Sequence, residues 1–439
     1  MSIKKLMALA AAAAVALSAG CSIQVGTKNK TFADSINSIK LDDKAIIASP
    51  QGVEGDERKA LEIDYLTFKK EYLYWMLTNG ITDDTADKTA EAAAAQRSSI
   101  IEYLINEKII AIKAKALGVD TFTQEELDAL DADYQEKIKE NIKVFSENAD
   151  YGDLTEAEIT DELKLKRGEE DFDKFLANAL ITREDLLMWQ RSALVTEKLI
   201  EEVTKDVSVD RSEAEDTLNN YIETVKKLYE EEPLTYEAGG EYTSFWLPEG
   251  SRLVKHILIG FEESKADEIS ATRASGDEEG ADALREEALK DIEQQTTEIK
   301  NMLDNGADFD ELIEEYSDDA AGSKVFPDGY TVVPGSVSFV REFVEAAFSI
   351  ENVGEYVLAP SDYGYHIVMY NGEAKVNEED LTEYVDYIAE TLQVSAENAK
   401  FDETMEKWRS EYNYKIEYDA LGITPSDNTD TTDKTDTAA

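Results

Sequence analysis

The sequence predicts an α+β chain, with a mostly helical part formed by both chain ends and one small α/β unit inserted between them. Three observations carry this. Apolar residues recur at helical spacing from Leu61 to about residue 234, and the same spacing returns over 381–412. Between these stretches the composition breaks at Gly239, Gly240, Pro248 and Gly250. After the break come short strand-like runs at 252–259, 357–358 and 365–370, with helical patterns among them. At roughly 100–200 residues per domain, the 439 residues suit two or three domains.

Residues 1–20 read as a secretory signal. Lys4 and Lys5 supply the positive start, and residues 6–17 are an apolar run too short to span a bilayer as a helix. Small residues Ser18, Ala19 and Gly20 lead directly to Cys21, the only cysteine in the chain. The segment Leu17-Ser18-Ala19-Gly20-Cys21 resembles a lipobox, with Ser18 where the consensus has Leu. That resemblance implies lipidation of Cys21 and attachment to the outer face of a cell membrane, for which two or three acyl chains suffice. With a single cysteine no disulfide can form within the chain.

Residues 21–59 suit the lipidated cysteine and a polar tether with a short extended entry. Residues 60–250 form the first helical part. Leu66, Phe68, Tyr72, Leu73, Trp75 and Met76 make one apolar stripe, and Ile100, Ile101, Leu104, Ile105, Ile109 and Ile112 line a helix over 88–117. Thr123 with Glu126, Thr182 with Asp185, and Asp210 with Glu213 are helix-start signals, predicting helices over 124–148, 183–205 and 211–232. Residues 251–373 are the α/β unit, in the order β-α-α-α-β-β. A strand over 252–259 is followed by a polar stretch at 262–280 that reads as a loop. A helix over 281–303 ends at Asn305-Gly306, a short helix follows the N-cap candidate Asp308, and 339–348 is a third helix. Residues 374–420 carry a helix with Tyr384, Ile388, Leu392, Phe401, Met405 and Trp408 at helical spacing, placed to fold back on the first part. Residues 421–439 are Asp- and Thr-rich and read as a disordered tail.

Charge excludes one class of partner. Lys and Arg number 44 against 96 Asp and Glu, a net charge of −52, so a nucleic-acid binder is not expected. A solute-binding lipoprotein would need two α/β lobes, which the long helical first half does not provide. The whole chain holds only two histidines, His256 and His366, and no third ligand stands at a recognisable metal-site spacing, so no metal is expected. Both histidines fall in the middle of short strands of the same small unit.

At this point the residues resemble a known family. His256-Ile-Leu, Gly306-Ala-Asp-Phe-Asp-Glu-Leu312, Ser317-Asp-Asp319, Phe343-Val-Glu-Ala-Ala-Phe348 and Gly364-Tyr-His-Ile-Val368 follow the parvulin pattern in order. Parvulins are peptidyl-prolyl cis/trans isomerases. With the lipobox and the flanking helical parts, the chain resembles a PrsA-type extracellular foldase lipoprotein, similar to SurA-like chaperones in layout. The resemblance implies a catalytic set of His256, Asp319 and His366, a proline pocket walled by Phe339 and Phe343, and a rim position at Tyr363, where other members have Ser or Thr. It implies no cofactor. Its implied partners are unfolded or partly folded secreted polypeptides with Xaa-Pro bonds, and its helical arms suit a homodimer. Two features depart from the pattern. The Gly-Gly-x-Leu-Gly stretch common after the Asp position is replaced by 322–330, and the insert at 262–280 is long. The competing reading is a holdase, in which the helical part binds unfolded chains and the parvulin unit is weak or inactive.

The residue types suit the chemistry. Xaa-Pro rotation faces a barrier of about 18–20 kcal/mol, and no nucleophile is required to lower it. The site must bind the twisted amide better than either planar form.

Overall fold

The computed structural model describes residues 36, 39–79 and 90–423. The signal segment, Cys21 and most of the acidic tail lie outside the described residues. Contacts divide the chain into two units, Met1–Val209 with Thr391–Ala439, and Asp210–Glu390.

The first unit is built from both ends of the chain. Its helices include Gly55–Leu61, Tyr65–Thr78, Ala90–Leu117, Gln124–Glu147, Asp161–Asn178 and Arg183–Thr204. The start signals at 123 and 182 act as read: Thr123 and Thr182 each form a full capping box with the acid three residues on. Asp210 caps its helix through the Ser212 amide instead. The helix Asp161–Asn178, capped by Thr160, has no counterpart in the sequence reading. Its buried apolar residues Phe172, Phe175 and Leu176 cluster near its end, so no long stripe announces it. Phe68, Tyr72, Ile105, Ile109, Phe145, Phe172 and Leu199 share one core with Phe401 and Met405 from the far end of the helix Glu378–Tyr412.

Strand β1 (Ile46–Ser49) joins the two ends. It pairs antiparallel with β2 (Ile63–Asp64) on one side and with Lys415–Ile416 on the other. The short extended entry read at the end of the tether is thus a strand paired on both sides, and it leads into the core. Leu421 and Ile423 are buried as well, and Arg97 donates to the Leu421 carbonyl at 3.2 Å. Apolar burial thus holds the chain up to Ile423, past the point where composition alone begins the tail. Among the described residues no helix is long and apolar enough to cross a membrane.

The second unit centres on a four-stranded antiparallel sheet of β3 (Arg252–Gly260), β4 (Tyr330–Val332), β5 (Tyr356–Ser361) and β6 (Gly364–Glu373), in the order β4-β3-β6-β5. Strand alternation sorts its side chains. Ile257, Ile259 and Ile367 face the helices Glu278–Asp304 and Phe309–Tyr316, packing on Ile299, Phe309 and Leu312. Val254 and Val368 face the helix Arg341–Ser349 and pack on Phe343, Val344 and Ala347.

Three segments differ from the sequence reading. The stretch 317–338, read as irregular, holds the short helix Ala320–Val325 and β4, too short for either period to show, so the sheet has four strands rather than the three expected. The polar stretch at 262–280 is not a loop but holds a helix, Glu263–Ala274, with a short break before the next one. Only Ile269 anchors it in a small core with Ala281 and Ala288, and Arg273 ties it to Asp362, so its signal is tertiary rather than periodic. The helices Arg211–Glu231 and Pro233–Ala238 fall within the second unit, whereas composition alone places the boundary at 250. Val225 and Tyr236 pack against Val333, and the Tyr229 hydroxyl donates to the Pro334 carbonyl at 2.6 Å.

Candidate active site

The two histidines meet because of register. His256 on β3 lies opposite Val368, and His366 on β6 lies opposite Leu258, so the two are diagonal neighbours on one face. Their Nδ1 atoms are 3.2 Å apart and the rings stack within 13°. Asp319 is delivered by the segment 317–319, which is stitched to β3. The Asp318 amide donates to the Leu258 carbonyl, and the Ser317 hydroxyl accepts from the Leu258 and Asp319 amides. Asp319 Oδ2 then stands 2.8 Å from His256 Nε2.

Two residues extend this row that the sequence reading did not select. Tyr330 donates from its hydroxyl to the same Asp319 oxygen at 2.6 Å. Ser361, fully buried, lies 2.9 Å from His366 Nε2 and accepts from the Tyr363 amide at 3.1 Å. Tyr330 was visible only as the end of the departing 322–330 stretch. Ser361 ends β5, three residues before Gly364, and carries no other sequence signal. The result is a continuous row, Tyr330, Asp319, His256, His366, Ser361.

One proton order satisfies every contact when Asp319 is ionised and both imidazoles are neutral. Tyr330 O–H and His256 Nε2–H donate to the carboxylate. His256 Nδ1 accepts from His366 Nδ1–H, and His366 Nε2 accepts from the Ser361 hydroxyl. The electrostatics agree. Burial lowers both histidines; for His256 the Asp319 carboxylate pulls the other way, and His366 is brought down to about 4, with the neighbouring His256 adding to the effect. For Asp319, burial acts upward, but the bonds from Tyr330 and His256 outweigh it and hold the carboxyl below its usual range. Burial and the Asp319 bond push the Tyr330 hydroxyl up, so it remains a donor.

An aromatic wall stands beside the row. Phe343, only 2% exposed, meets the His256 and His366 rings at 5.1 and 5.7 Å between centroids. Phe339 lies 5.2 Å from Phe343 and 5.8 Å from Tyr330. His256, Asp319, His366, Phe339 and Phe343 are therefore brought together. Tyr363 is placed differently: the residue is 52% exposed, and its backbone amide is what bonds to the row. Among the described residues, no group of three or more His, Cys, Asp or Glu could hold a metal ion.

The lowered histidines give a pH expectation with a definite sign. The unfolded chain binds protons at His near pH 6.5 while the folded His366 resists them down to about 4. Their contribution to stability is complete above about pH 6.5 and is lost as pH falls toward 4. In the first unit Glu71, pushed up to about 7 by burial and by Glu107, has the opposite sign. The check is therefore local: protection factors of the β3 and β6 amides, with the intrinsic pH dependence of exchange divided out, should fall between pH 6.5 and 4, and constant protection factors there would contradict the neutral pair.

A family profile described as the PPIC-type PPIase domain matches residues 247–374. The foldase protein PrsA of Clostridium acetobutylicum is 24% identical over 340 residues, covering 75% of this chain and 77% of the relative. The PrsA of Clostridium botulinum strain 657 is 22% identical over 366 residues, covering 83% and 86%. The crystal structure of PrsA from Bacillus subtilis aligns over 84% of this chain and 93% of that one, at 18% identity and a TM-score of 0.20. Residues 247–374 are thus a parvulin-type peptidyl-prolyl cis/trans isomerase domain, in a chain that resembles the PrsA foldases over most of its length.

Proposed function

We propose that the chain is held by acylated Cys21 on the outer face of the cell membrane and there isomerises Xaa-Pro bonds in polypeptides that have just crossed it. His256, Asp319 and His366 form the polar wall beside the rotating amide. Phe339 and Phe343 grip the proline ring and exclude water. The exposed Tyr363 ring contributes to the rim. The observation that carries the reading is the unbroken row from Tyr330 to Ser361 set against the Phe343 ring. A buried, neutral pair of histidines offers no strong base, and the reaction needs none. What it needs is a rigid, poorly solvating surface that favours an amide whose resonance has been broken by twisting.

The test is cis/trans exchange of short Xaa-Pro peptides, followed by NMR, with the purified chain from residue 22 onward. Acceleration by the wild type and its loss in a folded His366→Ala variant is the expected outcome. An unaffected His366→Ala would remove the row from the mechanism. No acceleration across varied Xaa would leave the binding of unfolded chains as the working function. For the anchor, the Cys21→Ala protein should leave the membrane fraction of a bacterial host, and its retention there would contradict lipidation.

A further inference from the structure

We propose that Tyr330 is a positioning residue of this isomerase: by donating at 2.6 Å to the Asp319 oxygen that also faces His256, its hydroxyl locks the carboxylate and fixes which nitrogen of each histidine carries the proton. The inference rests on Asp319 being part of the reacting wall.

Register places Tyr330 on the correct face. It pairs with Val254, which shares the face of His256 two residues further along β3. Its ring is then held on three sides, 5.4 Å from His256, 5.8 Å from Phe339 and 5.2 Å from Phe326. The hydroxyl has little freedom left, and its bond to Asp319 spans only eleven residues of chain. The intervening segment is shaped for that bond. Asp319 begins the short helix Ala320–Val325, and at Gly322 a Cβ would lie 1.8 Å from the Tyr330 hydroxyl. Only glycine leaves room there. The stretch 322–330, which departs from the family's glycine-rich pattern, thus supplies an extra donor to the catalytic carboxylate.

The consequence is directional. One Asp319 oxygen accepts two bonds and is fixed toward His256. His256 is then held as the Nε2–H tautomer, and His366 as the Nδ1–H tautomer donating to it. Without the Tyr330 hydroxyl the carboxylate keeps only its bonds from His256 and the Gly322 amide, and its orientation toward the row is held less firmly.

The experiment compares the wild type with Tyr330→Phe, which keeps the ring contacts and removes the donor. Imidazole 15N resonances at neutral pH should show single tautomers at His256 and His366 in the wild type and a mixture in Tyr330→Phe. In the peptide exchange assay kcat should fall roughly fivefold, the worth of one ordinary hydrogen bond, with KM unchanged because the aromatic wall persists. Gly322→Ala, whose Cβ would crowd the hydroxyl and also stand 2.9 and 3.0 Å from the two Asp319 oxygens, should reproduce both effects, and wild-type tautomers and kcat in a folded Gly322→Ala would count against the inference if Tyr330→Phe fails to fold. Unchanged tautomers, or an unchanged kcat in a folded variant, would overturn the inference. An inactive wild type would instead sink the functional reading, and this inference with it.

Discussion

Gly364→Ala should unfold the second unit or destabilise it on the order of 4 kcal/mol, among the largest effects a single methyl group can have. Gly364 sits where β6 starts, at φ +141°, a conformation that residues with a side chain rarely adopt. A Cβ there would lie 2.0 Å from the Ile259 carbonyl oxygen and 2.9 Å from Gly260. Both neighbours are backbone of β3, so no side chain can swing away. The strain must be relieved by parting β3 from β6, and that pair sets the diagonal contact of His256 and His366. Urea unfolding followed by amide signals of the sheet is the measurement. A midpoint within error of the wild type would show that the close approach of the two strands does not exist in solution.

Asp319→Asn should lower kcat/KM for Xaa-Pro exchange by about 10- to 100-fold, the equivalent of one charged hydrogen bond, while leaving the unit folded. The amide matches the carboxylate in shape, and its oxygen can accept from both Tyr330 and His256, so both buried donors keep a partner. What changes is charge. In the planar peptide bond, resonance places partial negative charge on the carbonyl oxygen, and twisting removes it. A carboxylate beside that oxygen raises the energy of the planar state more than that of the twisted one, which lowers the barrier. The neutral amide of the variant would lack this discrimination. Equal rates in Asp319→Asn and wild type, with equal unfolding midpoints, would show that Asp319 acts through shape alone.

These expectations draw on different amounts of sequence information. Strand-like runs put His256 and His366 in the middle of strands, and the parvulin resemblance alone put Phe343 in the wall of the pocket. Thr123 and Thr182 announced their helices because a cap and its acid lie three residues apart. Other features left no such local mark. The helix Glu263–Ala274 buries one isoleucine and is held by an arginine that reaches Asp362, so neither period nor cap reveals it. Tyr363 occupies the family position, yet the turn before β6 turns its ring outward and brings Ser361 inward instead.

By itself the sequence determined what depends on near neighbours along the chain: the helices with caps and stripes, the alternating strands, the acidic surface, and the residue types of a parvulin site in their proper order. Tertiary structure alone decided what depends on register and on contacts across long loops. His256 and His366, 110 residues apart, are hydrogen-bonded because β3 and β6 pair in one register. Both chain ends share one core because Lys415–Ile416 completes the sheet begun by β1. Tyr330 joins the row because a glycine clears the space for its hydroxyl. Local preferences are written in spacings of two, three and four residues. Which side chains meet is fixed only when a sheet and its helices bury their apolar faces together.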